Sequence, residues 1–170
     1  MNLDYKPPGP IAKAFMKDES FVRGIRGPVG SGKSVTCCME IMRKAVNQAP
    51  NSAGVRRTRW AVIRNTNPQL KTTTIKTWRD WFGDEVGKFV WSPPYTHLVN
   101  FSLADKTSVE CEVIFLALDK QEDVKKLLSL ELTGVWLNEA RELPKSIVDA
   151  CTMRCGCLLY TSDAADDLYR

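Results

Sequence analysis

The chemistry of this chain concentrates in one stretch, Gly27-Pro28-Val29-Gly30-Ser31-Gly32-Lys33-Ser34. Its spacing is G-x-x-x-x-G-K-[ST], and each fixed residue type in that pattern has a physical task. Glycines at 27, 30 and 32 let the backbone curl with its N–H groups turned inward around an anion. A helix opening at the end of the loop adds the partial positive charge of its N-terminus. Lys33 places a full charge on the outer phosphates, and the Ser34 hydroxyl is suited to Mg²⁺. The loop from Gly27 through Pro28, Val29, Gly30, Ser31, Gly32 and Lys33 to Ser34 is therefore the candidate site for ATP with Mg²⁺.

Holding a triphosphate is not hydrolysing it. Turnover also needs an acidic group at a neighbouring strand end to orient the metal, and a base to position the attacking water. Two strand ends offer an acid. Val113 to Asp119 ends in Asp119, but Asp119-Lys120-Gln121-Glu122 already reads as a capping box opening a helix. Leu132 to Leu137 ends in Asn138-Glu139, where the carboxylate has no competing explanation. Glu139 is thus the expected base, and Asn138, with Ser34, the expected neighbour of the metal. An aspartate is the usual residue at position 138. A neutral amide still accepts a bond from a metal-bound water, but it lends no charge.

The elements that must position these groups follow from periodicity. Phe21 to Ile25 reads as a short strand entering the loop, and Val35 to Val46 as the helix leaving it, with Val35, Cys38, Met39 and Met42 as its apolar stripe. Trp60 to Arg64 reads as a second buried strand. A helix is expected from the Asn65-Thr66-Asn67-Pro68 turn to about Phe82, then irregular chain over 83–94. Leu98 to Leu103 and Ser108 to Leu116 alternate around Ala104-Asp105-Lys106 as a β-hairpin. Pro144 suits the first turn of a closing helix over Lys145 to Ala150. His97, the one histidine, has no nucleophile or ligand partner in view and reads as structural.

Composition sets the frame. The chain has 170 residues, 44% apolar and 26% charged, with a net charge of +4, which suits one globular domain. Such a mildly basic chain permits a nucleic-acid partner without requiring one. No run of 18 apolar residues and no leader pattern is present, so neither membrane insertion nor secretion is expected. Six cysteines without a leader argue for reduced thiols in a cytosolic setting. Arg56, Arg57 and Arg59 form a basic cluster, read as a solvated rim with DNA-backbone contact as the alternative. Residues 1–20, with Pro7-Pro8-Gly9-Pro10 and a short helical stretch, read as a strap. Tyr5 or Phe15 on it could pack on an adenine. Residues 157–170 resemble the translation of a transposase-type sequencing adapter and are expected to be non-native. They carry three aspartates and one arginine, so without them the net charge would be +6. Cys151, Cys155 and Cys157 then form no zinc cluster.

Three stretches together resemble the ATPase domain of the large terminase subunit, the DNA-packaging motor of tailed bacteriophages. They are Gly27 to Ser34, Val62 to Trp78, and Leu132 to Leu143. The resemblance implies an α/β P-loop NTPase with a RecA-like, mostly parallel sheet flanked by helices and carrying a β-hairpin insertion, over residues 21–156. It implies a strand lying between the P-loop strand and the Glu139 strand. It further implies double-stranded DNA as substrate of the motor, a portal protein and a small terminase subunit as partners, a homo-oligomeric ring, and action in the cytoplasm of a host bacterium. A metal-binding nuclease domain of RNase H type would follow in the full-length protein. Some terminases carry an arginine within the loop. Here Pro28 and Val29 stand there, so Arg64 is the expected candidate for a catalytic arginine. A helicase-like DNA translocase, or a nucleotide-binding protein without turnover, stays open beside this reading.

Overall fold

The computed structural model describes residues 5–120 and 123–156. Its centre is β1 (Val55–Arg64), a strand so apolar at its end that Ala61, Val62 and Ile63 are all fully buried. A strand apolar on both faces is what parallel sheets covered on two sides require. β1 pairs in parallel with β4 (Ser108–Ala117) along its whole length and with β5 (Gly134–Leu137) on its other side. β4 continues antiparallel into β3 (Tyr95–Ser102), which pairs with β2 (Gly87–Val90). The sheet order is β2-β3-β4-β1-β5. The expected hairpin is β3–β4, and β4 joins it directly to the parallel half.

Each face of the sheet has its own core. On one, Val62, Val109, Cys111, Val113 and Phe115 pack against Cys38, Met39, Ile41, Met42 and Ala45 of helix α2 (Lys33–Asn47) and against Leu70, Ile75, Trp78 and Phe82. On the other, Ala61 and Ile63 pack beneath α5 (Val124–Leu128) and α6 (Lys145–Arg154) through Leu127, Ile147, Ala150 and Cys151. Alternate residues of one strand feeding two cores is the period of two that a pleated strand imposes. Each large aliphatic side chain so buried contributes about 1.5–3 kcal/mol. α1 (Gly9–Lys17) packs against α2.

The segment ahead of the loop departs from expectation. Residues 21–26 form no strand, and Phe21 and Val22 stay exposed at 71% and 69%. The reason is a missing partner: β1 is already flanked on both sides. Among the described residues β5 pairs with no strand but β1, and just ahead of it Leu132 makes an isolated bridge to Cys155. An extended segment without a neighbouring ladder has no place for its backbone bonds. Instead it is held by side chains, chiefly Arg23, which donates to the Phe15 and Asp18 carbonyls and to Glu40.

Two further differences are local. Part of the chain expected to be irregular over 83–94 forms the edge strand β2. The helix after β1 is composite, with α3 (Asn67–Gln69), a π-helical turn (Leu70–Ile75) and α4 (Lys76–Trp81). The expected capping box falls partly outside the described residues, at Gln121 and Glu122. The non-native tail expected from residue 157 onward lies outside them entirely.

Candidate functional site

The parallel strands point their C-terminal ends toward one edge of the sheet, and the N-terminus of α2 faces the same edge. Side chains from four parts of the fold meet there around a polar cleft of about 160 Å³, lined by Ser34, Arg64, Asn138, Glu139 and, from the helix after β1, Thr73 and Thr77. Ser34 comes from the first turn of α2, Arg64 from the end of β1, and Asn138 and Glu139 from the chain leaving β5. Residues far apart in sequence thus converge because adjacent parallel strands end at one level. The Asn138 N–H donates to the Ile63 carbonyl at 2.9 Å, extending the β1–β5 ladder up to the cleft.

The loop itself is shaped by glycine. Gly30 and Gly32 both sit at φ 77°, in the left-handed region that glycine enters without cost. Gly32 also meets the strap, since a Cβ there would lie 2.7 Å from Pro8 Cγ. Lys33 folds back over the loop, with Nζ donating to the Gly27 carbonyl at 2.9 Å, the Pro28 carbonyl at 2.6 Å and Ser31 Oγ at 3.3 Å. Two of its three protons are thus firmly anchored. The third, on the longest contact, is the one a phosphate oxygen can claim by displacing the Ser31 hydroxyl. Pro28 and Val29 form the exposed outer lip of the loop, Val29 fully so.

Glu139 is a non-glycine residue at φ 57°, ψ 54°. Its side chain is 39% exposed and lies 3.6 Å from the still more exposed Arg141, a contact too open to hold it firmly. Arg64 is buried. It donates to the Asn138 carbonyl at 3.4 Å and stands 3.7 Å from Glu142, while its Nε has no hydrogen-bond partner. The guanidinium thus lines the cleft but is steadied by the chain around Asn138. Asn138 in turn donates from Nδ2 to Thr74 Oγ1 at 2.7 Å. Asp119, the competing acid, is exposed beyond β4 and does not line the cleft.

The donor set suits a hard cation. A hydroxyl, a carboxamide and a carboxylate, all oxygen donors around one small cleft, fit Mg²⁺ held partly by substrate phosphates. Among the described residues no group of three or more His, Cys, Asp or Glu is placed to hold a metal without such help.

Several other groups fall outside the site. Arg23 is spent on Glu40 and two carbonyls. Arg56, Arg57 and Arg59 pair with Asp105, Glu110 and Glu112, so the basic cluster is neutralised residue by residue. Tyr5 bonds Thr36 at 2.9 Å and packs edge-on to Trp81, and Phe15 lies under Arg23. A larger hollow of about 450 Å³ lies over the sheet face around these arginines and glutamates, away from the loop. Burial pushes the Cys37, Cys111 and Cys151 thiols up to about 12, so they are packing groups and not nucleophiles. No described helix is long and apolar enough to cross a membrane.

Thr73, Thr74 and Thr77 were not singled out by sequence reasoning. The signal that would have found Thr73 and Thr74 is the five-residue step from Leu70 to Ile75, which holds the consecutive threonines Thr72, Thr73 and Thr74; no such signal marks Thr77.

No protein-family model and no curated protein sequence matches the chain. Two solved structures do. The large terminase of a thermophilic bacteriophage matches with a TM-score of 0.60 and 14% identity, over 76% of this chain and 30% of that one. The large terminase ATPase domain of Thermus phage P74-26 matches with a TM-score of 0.55 and 14% identity, over 88% of this chain and 59% of that one. The chain therefore spans less than two thirds of the length of either. The fold of this chain is that of phage large-terminase ATPase domains, an α/β P-loop NTPase fold.

Proposed function

We propose that this chain binds ATP with Mg²⁺ and hydrolyses it, as the motor domain of a DNA-packaging terminase large subunit. One observation carries the reading: Ser34 of the loop, Arg64 of β1, and Asn138 and Glu139 beyond β5 line a single cleft. In that reading the loop N–H groups and Lys33 hold the phosphates. Glu139 accepts the proton of the attacking water as its oxygen bonds to the terminal phosphorus and ADP departs. Ser34 and Asn138 flank the cation, which when bound would neutralise phosphate charge. Arg64 stabilises charge on the transferred group. Double-stranded DNA, a portal protein, a small terminase subunit and ring assembly in a bacterial host belong to the same reading.

A nucleotide-binding protein without turnover is the second reading, favoured by the engagement of Arg64 with Asn138 and Glu142. The test is ATP binding and phosphate release by the wild type, Lys33→Ala and Glu139→Gln. Binding lost in Lys33→Ala, with turnover lost but binding kept in Glu139→Gln, supports the proposal. Binding without phosphate release in the wild type supports the second reading. No nucleotide binding overturns both.

A further inference from the structure

The helix between β1 and β2 carries an extra residue. Its buried apolar positions are Leu70, Ile75, Trp78 and Phe82, and the first step is five residues, where an α-helix would place three or four. The π turn absorbs that step. Such turns commonly mark functional positions, because they displace one residue from the regular face. Within this turn Thr74, four residues from both Leu70 and Trp78, is a polar side chain only 1% exposed in the apolar stripe.

Its hydroxyl accepts the Asn138 Nδ2 proton at 2.7 Å. Thr73 Oγ1, 3.5 Å further along, has given its own proton to the Gln69 carbonyl at 2.6 Å. Thr73 therefore offers Thr74 an acceptor and not a donor. Each hydroxyl has a direction, and the chain of donors runs from Asn138 through buried Thr74 to the exposed Thr73 and the Gln69 carbonyl. The carboxamide N–H end is turned to the protein, which leaves the carbonyl end as the one that lines the cleft.

Resting on the proposed function, we infer that the π turn belongs to the site and that Thr74 is a positioning residue for Asn138. It holds the amide with its oxygen toward the cation and its water. A carboxylate at position 138 would present oxygen whichever way it turned. A neutral amide presents oxygen only if something fixes its rotation, and Thr74 does so. Thr73 and Thr77 form the wall of the cleft on the same helix.

The test is the affinity of the full chain for a fluorescent ATP analogue, with Mg²⁺ and with chelator, in Thr74→Val, Thr74→Ser, and Thr74→Val combined with Asn138→Asp. Thr74→Val keeps the shape and removes the hydroxyl. The Mg²⁺-dependent gain in affinity is expected to fall roughly 10-fold, as for other supports of metal ligands, while affinity in chelator holds. Thr74→Ser restores the gain. In the Asn138→Asp background, Thr74→Val costs nothing, because orientation no longer matters. If Thr74→Val gains from Mg²⁺ as the wild type does, or if the loss persists in the Asn138→Asp background or in Thr74→Ser, the inference is overturned. Should Thr74→Val fail to fold, Thr74→Ser and Asn138→Asp still decide it: the serine variant must match the wild type, and the aspartate variant must gain from Mg²⁺ at least as much. A wild type with no Mg²⁺-dependent gain overturns the proposed function itself, and this inference with it.

Discussion

Arg23 and Glu40 form a nearly buried ion pair at 2.9 Å, and through it the chain entering the loop is fastened to α2. Glu40 also accepts from Arg43 at 2.7 Å, and its side chain is only 5% exposed. Removing the carboxylate would strand Arg23 without its counter-charge. Glu40→Gln is therefore expected to lower the unfolding free energy by about 3 kcal/mol, the scale for breaking a buried pair. Urea unfolding measures it, and a loss under about 0.5 kcal/mol, the range of ordinary surface changes, would refute the fastening role.

Lys33 separates binding from folding. Its partners are loop carbonyls and one hydroxyl near the surface, so Lys33→Ala should leave stability within about 0.5 kcal/mol of wild type. The shift in melting temperature that ATP produces in the wild type should nevertheless disappear. A variant that ATP still stabilises would show that the ammonium does not hold the phosphates.

Gly134 tests how tightly β5 is seated on β1. A Cβ there would lie 2.3 Å from the Trp60 ring, so the indole or the strand must shift. Gly134→Ala is expected to cost about 1–3 kcal/mol, as overpacking does. It should also depress turnover more than ATP affinity, because β5 delivers Asn138 and Glu139 while the loop is carried by α2. Equal losses in both would mean the disturbance spreads to the loop.

What was legible in the chain, and what was not, divides by the range of the interaction. α2, β1, β5 and the β3–β4 hairpin follow from patterns within each segment. The convergence of Ser34, Arg64, Asn138 and Glu139 on one edge follows once the strands are parallel. The failed strand at Phe21 to Ile25 could not be read locally, since strand formation depends on a neighbour and β1 had none to give. The π turn was missed for a different reason. A five-residue step between Leu70 and Ile75 breaks the regular period, and the broken period was the message. β2 escaped because a four-residue edge strand owes its existence to β3, not to its own pattern.

His97 should make the fold sensitive to acid. It is fully buried and its Nδ1 accepts the Trp78 indole N–H at 2.8 Å, which only the neutral ring can do. Burial lowers its pKa below the ordinary value of 6.5, against the opposing pull of the Gly87 backbone, Asp84 and Glu85, with Arg79 adding to the lowering. The unfolded chain then takes up the proton more readily than the folded one. The contribution is complete above pH 6.5 and is lost as pH falls below it. Unfolding by denaturant across about pH 5–7.5, the range in which a histidine titrates, should show stability rising with pH. In His97→Leu that slope should flatten, and an unchanged slope would place the sensitivity elsewhere.

The backbone at Glu139 is held in the left-handed region, φ 57°, which costs an L-residue roughly 1–2 kcal/mol. Glycine would be released from that cost, at the expense of a more flexible unfolded chain. Glu139→Gly is thus expected to match or exceed the wild type in stability by up to about 1 kcal/mol while turning over no ATP. Melting curves and phosphate release check both halves. A breeder selecting this protein for heat resistance alone would be drawn to discard the carboxylate on which its proposed work depends. Heat tolerance and turnover pull position 139 toward different residues.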